Sequence, residues 1–257
     1  MIGTMPLLLE HDVAGEGDAV VLIHSTVCNR RMWDPQWDEL AKRFRAVRCD
    51  LRGFGETPLP PGPFSNAEDV LALVDQLGLE RVALVGASGG GRVALDVISL
   101  RPALVSRLAL LSTGLREWDW SDQVRGIWAE EERLWDAGDL DAVAELMVAK
   151  WVSPDAPDEV RDLVRTMQRQ ALEVQHAAEQ QEPGPGPEAP VDFDPTTVDA
   201  PTLVVCGLHD VPDFVAIAQM LAREIPHATL VELETAHLPN LELPHVVTNL
   251  LVDFLQA

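Results

Sequence analysis

The sequence predicts a doubly wound α/β fold, a mainly parallel sheet with helices on both faces, broken by one helical insertion. Three observations lead there. Short, wholly apolar runs such as Val82-Ala83-Leu84-Val85 recur along the chain, as expected of strands covered on both faces. Stretches with apolar residues at helical spacing alternate with them, which implies crossover connections. Between Leu115 and Val198 the alternation stops and only helical periodicity remains. At 257 residues, 47% of them hydrophobic, the chain can bury such a core as one unit.

Residues 6–13 and 19–24 are apolar runs separated by Gly15-Glu16-Gly17-Asp18, which predicts a hairpin leading into a buried strand. Residues 45–50 predict a strand, followed by the glycine-rich turn Leu51-Arg52-Gly53-Phe54-Gly55. Val70, Leu71, Leu73, Val74 and Leu77 form a helical stripe over 65–77, closed by Gly78 as a C-cap. A strand at 82–85, a helix at 90–100 and a strand at 108–111 follow. The insertion then holds helices at 122–136, 140–151 and 158–180. Glu182-Pro183-Gly184-Pro185-Gly186-Pro187-Glu188-Ala189-Pro190 predicts neither helix nor strand, because proline fixes φ and removes donors; it reads as a linker back to the sheet. Strands at 202–206 and 229–233 and a helix at 244–255 complete the chain. The core is thus expected over 1–114 and 199–257, and a helical cap over 115–198.

Forty-two acidic residues against 19 basic ones give a net charge of −23, which should repel nucleic acid and anionic membranes. Between 115 and 200 the count is 21 acidic to 7 basic, a solubilising surface that also disfavours anionic substrates. No run of 18 apolar residues predicts a membrane span. The first residues lack the basic start and apolar length of a leader. Cys28, Cys49 and Cys206 are too far apart for a metal motif or a disulfide framework. The expectation is a cytoplasmic protein without metal or cofactor, acting on a small molecule, with a homodimer allowed.

The chemistry concentrates in a few places. Strand 82–85 runs into Gly86-Ala87-Ser88-Gly89-Gly90 and then a helix, the strand–turn–helix setting of a nucleophile elbow. Such a turn strains the serine backbone, tolerates only small neighbours, and lifts the hydroxyl to a helix N-terminus. A serine needs a base, and the base an orienting acid, in the chain order serine, acid, histidine. His237 follows the last strand at the C-terminal edge of the sheet, the edge where sites form in such folds. Asp210 sits just past strand 202–206, with Asp213 as the runner-up. The amides of Gly89, after the nucleophile, and Thr26, after strand 19–24, are candidates for an oxyanion hole. Trp118 and Trp120 at the insertion's entrance are pocket candidates, with Cys28, Trp33 and Leu238 behind them. Trp128 and Trp135, seven apart, share a helical face and read as packing within the insertion.

Five segments in this order resemble the α/β-hydrolase superfamily: His24-Ser25-Thr26 with Arg31-Met32-Trp33-Asp34-Pro35-Gln36, then Asp50-Leu51-Arg52-Gly53-Phe54-Gly55, the elbow, Gly207-Leu208-His209-Asp210, and Ala236-His237-Leu238-Pro239-Asn240. The Arg-Met-Trp-Asp-Pro-Gln stretch is similar to one in enol-lactonase-like members, though many esterases share it. The resemblance implies a cap before the acid-bearing strand and a serine hydrolase acting on a small, largely apolar ester or lactone through an acyl-enzyme. Carbon–carbon bond hydrolysis and perhydrolysis use the same triad, and a ligand-binding protein could retain it. Ser88 excludes the aspartate nucleophile of haloalkane dehalogenases and epoxide hydrolases. One departure is Ser25, where the family usually has glycine.

Overall fold

The computed structural model describes residues 5–257; residues 1–4, on which the leader reading partly rests, lie outside it. Strand β1 (His11–Ala14) is followed by β2 (Ala19–Ile23), helix α1 (Asp34–Ala41), β3 (Arg45–Cys49), the short β4 (Gly62–Phe64), α2 (Asn66–Gln76), β5 (Val82–Ala87), α3 (Gly89–Leu100) and β6 (Val105–Leu111). The insertion carries α4 (Asp122–Asp136), α5 (Leu140–Trp151), α6 (Asp158–Glu179) and β7 (Pro185–Glu188). The chain ends with β8 (Thr202–Gly207), α7 (Pro212–Glu224), β9 (Ala228–Leu233), the single turn α8 (Pro239–Glu242) and α9 (Pro244–Gln256).

Seven strands form one sheet in the order β1-β3-β2-β5-β6-β8-β9, parallel except for β1. Side chains alternate faces along a strand, so each apolar run feeds two cores. Val20 and Leu22 of β2, with Ala83 and Val85 of β5, join the face covered by α1 and α9. Val21 and Ile23, with Val82 and Leu84, join the face covered by α2, α3 and α7. Because β2, β5, β8 and β9 are parallel, their C-terminal ends share one edge. Thr26, Ser88, Asp210 and His237 follow these ends in turn. Among the described residues no helix is long and apolar enough to cross a membrane.

Two expectations are corrected. β1 and β2 are not a hairpin: β3 lies between them, with β1 antiparallel to it in the register Asp12↔Arg48. β2 is buried along its whole length and so needs a strand on each side, which the edge strand β1 could not supply alone. The Asp12 carboxylate instead accepts from Arg48 Nε at 2.8 Å, a directly opposed charge pair that fixes β1 on β3. The second correction is the Pro/Gly segment, which includes the strand β7 paired in parallel with β4. Proline cannot donate, but the donors here are not prolines. The Gly62 N–H donates to Gly184 O at 3.2 Å and the Ala189 N–H to Phe64 O at 2.7 Å.

Candidate active site

Ser88 joins β5 to α3 with φ 52° and ψ −116°, a positive φ that a serine adopts only when its surroundings impose it. They do so here. The Ser88 N–H donates to Leu111 O at 2.8 Å, and Ser88 O accepts from Arg92 N at 3.2 Å and Gly114 N at 3.3 Å. The flanking glycines are required by contact. A Cβ at Gly86 would collide with the Gly90 carbonyl, and one at Gly90 with the carbonyls of Ile23 and His24. The serine sits at the N-terminus of a twelve-residue helix, whose free amides favour developing negative charge.

The His237 Nδ1–H donates to Asp210 Oδ2 at 2.8 Å, with both side chains buried. Asp210 Oδ1 accepts from the Val211 N–H at 2.7 Å, so the carboxylate is held from both oxygens. The imidazole lies against Trp151 and Phe214, with ring centroids 4.8 Å and 4.4 Å away. Asp213 does something else. Its carboxylate accepts from the N–H and Oγ of Ser121, both at 2.7 Å, and so fastens the N-cap of α4 to α7. Burial opposes the charge on Asp213, but the Ser121 bonds outweigh it and hold the carboxyl below its usual range.

Ser88 and His237 open into one cavity of about 490 Å³, which Thr26 and Gly89 also line. No hydrogen bond joins the Ser88 hydroxyl to the ring among the described residues. The Thr26 and Gly89 amides have no protein acceptor among the described residues, whereas the Val27 amide faces Ser25 Oγ at 3.4 Å. The Thr26 methyl packs where a Gly89 Cβ would stand, so glycine is required there. Ser25 has no positive φ, so a side chain is tolerated at this position.

The loop motifs of the sequence meet around this centre. His24 Nδ1–H donates to Ser25 O at 2.8 Å and its Nε2 accepts from the Leu51 N–H at 2.9 Å. That bonding requires a neutral ring, and burial lowers its pKa in the same sense. Gln36 Nε2 donates to Asn240 O at 3.0 Å, while Asn240 Nδ2 donates to Met32 O at 3.0 Å. The histidine loop is thereby tied to the turn that follows the Thr26 loop. Sequence reasoning missed the role of Glu242. It accepts from Ala236 N at 2.9 Å and Ser153 N at 3.4 Å, joining the histidine loop to the end of α5. Burial raises the pKa of Glu242 despite these bonds.

The pocket candidates divide. Trp120 lines the cavity, edge-on to Trp128 and against Phe214. Trp118 does not line it and packs on the opposite core. A tight turn, with the Trp120 N–H donating to Trp118 O at 3.0 Å, sends the two indoles apart. Cys28 and Trp33 are also absent from the wall. The chain after Thr26 winds into a 3₁₀ turn, Arg30–Trp33, that drives them into the core under α1 and α9. Leu238 faces that same core. Trp128 lines the cavity, whereas Trp135 bonds Glu179 on α6 through Nε1 at 2.9 Å. Spacing shows that the two share a helical face, not how far along the axis the cavity extends.

Residues 20–250 match the model of the Alpha/beta hydrolase family. The chain belongs to that family. A 3-oxoadipate enol-lactonase of Acinetobacter baylyi is 25% identical over 243 residues, covering 92% of this chain and 88% of the relative. The crystal structure of an enol-lactonase from Burkholderia xenovorans superposes with a TM-score of 0.81 at 27% identity, over 97% of this chain and 96% of that one. A thermophilic esterase from Thermogutta terrifontis gives 0.78 at 27% identity, over 96% and 93%. The chain spans about a third of the first curated relatives it matches. These are uncharacterized proteins of Mycobacterium bovis and Mycobacterium tuberculosis, 38% identical over 108 residues, which make up 40% of this chain and 31% of theirs.

Proposed function

We propose that this family member is a serine hydrolase that cleaves a carboxylic ester or lactone through an acyl-enzyme. The observation that carries the reading is the 2.8 Å bond from His237 to a buried Asp210, at a cavity shared with a serine on a strained strand–helix turn. Asp210 holds the imidazole in the tautomer whose Nε2 can take a proton, and stabilises the imidazolium once formed. Ser88 Oγ attacks the carbonyl carbon as His237 removes its proton. The oxyanion lies against the Thr26 and Gly89 amides. Collapse expels the alcohol, protonated by His237, and leaves an acyl-serine. Water, activated by the same histidine, releases the acid. In a lactone the alcohol and acid remain one molecule. The similarity to an enol-lactonase and an esterase supports this class of bond.

The insertion acts as a lid in this reading. Trp120, Trp128, Glu131, Met147, Trp151 and Gln168 line the cavity from it, and Trp151 touches the base. Such a wall excludes water and chooses substrates without supplying the chemistry.

The test is turnover of a panel of esters, lactones and β-diketones by the native chain and by Ser88→Ala. Ester or lactone cleavage that falls about 10⁴-fold in the variant supports the reading. Residual activity above about a tenth, or turnover confined to diketones, overturns it.

A further inference from the structure

The backbone on both sides of His237 is held by one residue. Glu242 ends the turn α8, five residues after His237, and is half-buried. Its Oε2 accepts from the Ala236 N–H, before the histidine, at 2.9 Å. Its own N–H donates to Leu238 O, after the histidine, at 3.0 Å. The other carboxylate oxygen, Oε1, accepts from the Ser153 N–H at 3.4 Å. Ser153 stands two residues beyond Trp151, whose ring centroid lies 4.8 Å from that of His237. The carboxylate thus joins the peptide that carries the base to the end of the helix that walls its ring. Asp210 fixes the ring only at Nδ1, which does not by itself fix the backbone beneath it. Burial opposes the charge on Glu242 and raises its pKa, although the Ala236, Ser153 and Leu238 amides and a charged His237 favour ionisation. Among the described residues no arginine or lysine pairs with it. A carboxyl set against its surroundings in this way, beside a titratable base, points to a role in function.

We propose that Glu242 is a positioning residue for His237, its carboxylate coupling the histidine loop to the end of α5 so that the base and the wall behind it are placed together. The proposal rests on the serine-hydrolase reading and deepens it. A base must lie within hydrogen-bond reach of the proton it takes, and a misplacement of about 1 Å can cost on the order of 10²-fold. An ionised carboxylate offers acceptors on both oxygens. A carboxylic acid or an amide turns a hydrogen toward one of the two N–H groups and loses that bond. The charge state of Glu242 therefore enters the geometry of the base. Other titratable groups do not share this place. Asp210 meets the ring at Nδ1, Asp213 of α7 faces Ser121, and Glu131, Arg92 and Arg116 line the cavity. On the elements packed around α8, Arg30, Arg31, Asp34 and Glu39 are engaged in ion pairs with other partners. Arg161 donates to Ser153 O at 3.3 Å, and Asp38, Lys150, His245 and Asp253 are exposed.

The experiment measures how fast an alkyl fluorophosphonate labels Ser88 in the native chain, Glu242→Gln and Glu242→Asp, across pH, at a temperature where circular dichroism shows each to be folded. Saturation with the probe separates its binding from the bond-forming step. At about pH 8, where the native carboxyl is ionised, both variants should bind the probe as the native chain does. Both should label at least about tenfold more slowly at saturation, because glutamine has one acceptor oxygen and aspartate is one methylene short. The ratio of native to Glu242→Gln rates should fall toward one as pH drops through the Glu242 titration, above the ordinary glutamate range, since the protonated native chain loses the same acceptor. Protonation of the base slows both forms. A ratio that stays constant with pH makes Glu242 a structural clamp and overturns the proposal. So do variants that label at the native saturating rate, whether they melt lower or bind the probe more weakly. If Glu242→Gln does not fold, Glu242→Asp decides alone, and a native rate in it overturns the proposal. If the native chain is not labelled at Ser88 at any pH, the serine-hydrolase reading itself falls and the proposal with it.

Discussion

Single residues carry the chemistry, and their roles separate by mutation. Asp210→Asn keeps the shape of the acid but favours the wrong tautomer of His237, so kcat should fall on the order of 10⁴-fold. Asp213→Asn should cost far less in kcat and appear instead as a lower melting temperature, because Asp213 holds the N-cap of α4. Steady-state kinetics beside thermal melts decide the ranking, and the reverse order would move the acid three residues along. How much of the site was legible depended on the kind of signal. That Ser88 and His237 share a cavity, with Asp210 bonded to His237, agrees with what chain order and sheet edge lead one to expect in a parallel topology. The places of Cys28, Trp33, Trp118 and Leu238 do not. A residue next to a loop in sequence can face the core or the cavity, and only the turns at Arg30–Trp33 and Trp118–Trp120 decide which. Glu242 left no trace because its bonds are to the backbone amides of Ala236 and Ser153, and neither partner is marked by a side-chain type.

At the scale of elements, position in the sheet explains both what was readable and what was not. Strands such as β5 and β8 announce themselves by continuous burial, whereas β1 and β7 are edge pieces whose partners are set by distant charge pairs and amides. Helices α1 and α7 have no counterpart in the sequence reading. Each begins next to a proline; α1 is only eight residues long, whereas α7 does carry Phe214, Ile217, Ala218 and Leu221 at helical spacing, a stripe the sequence holds in plain view. The Thr26 loop is held to the 50–55 turn by a neutral, buried His24. Its pKa is lowered in the folded chain, so the unfolded chain binds the extra proton first. Stability from this group is therefore complete above about pH 6.5 and declines as pH falls below it, by at most about 1.4 kcal/mol per pH unit. Chemical denaturation of the native chain and of His24→Asn across that range should show a shallower pH slope for the variant; identical slopes would contradict the assignment. The insertion makes a parallel prediction. Trp120→Ala should weaken small apolar acyl groups by about 1–3 kcal/mol of transition-state binding and admit bulkier ones. Trp118→Ala should lower the melting point and leave the acyl-length profile of kcat/KM unchanged. A changed profile in the Trp118 variant alone would reverse the assignment.

For the whole molecule, the charge of −23 is spread over a fold whose apolar layers were already visible in the sequence. Self-repulsion of that size should make the chain more stable as salt screens it, so the melting temperature should rise between roughly 10 mM and about 0.5 M sodium chloride. A falling melting temperature would mean that ion pairs such as Arg30 with Asp50 and Arg52 with Asp69 outweigh the repulsion. The sheet brings four loops to one edge, residues of the insertion line the cavity there, and the family relationship supplies the expectation of hydrolysis. In the proposed function all of this serves one activated hydroxyl. The most direct test is the mass of the intact protein after treatment with a fluorophosphonate, followed by peptide mapping of the adduct. The account predicts a single adduct on Ser88, absent from Ser88→Ala and formed far more slowly in His237→Ala. No adduct, or an adduct on another residue, would contradict it.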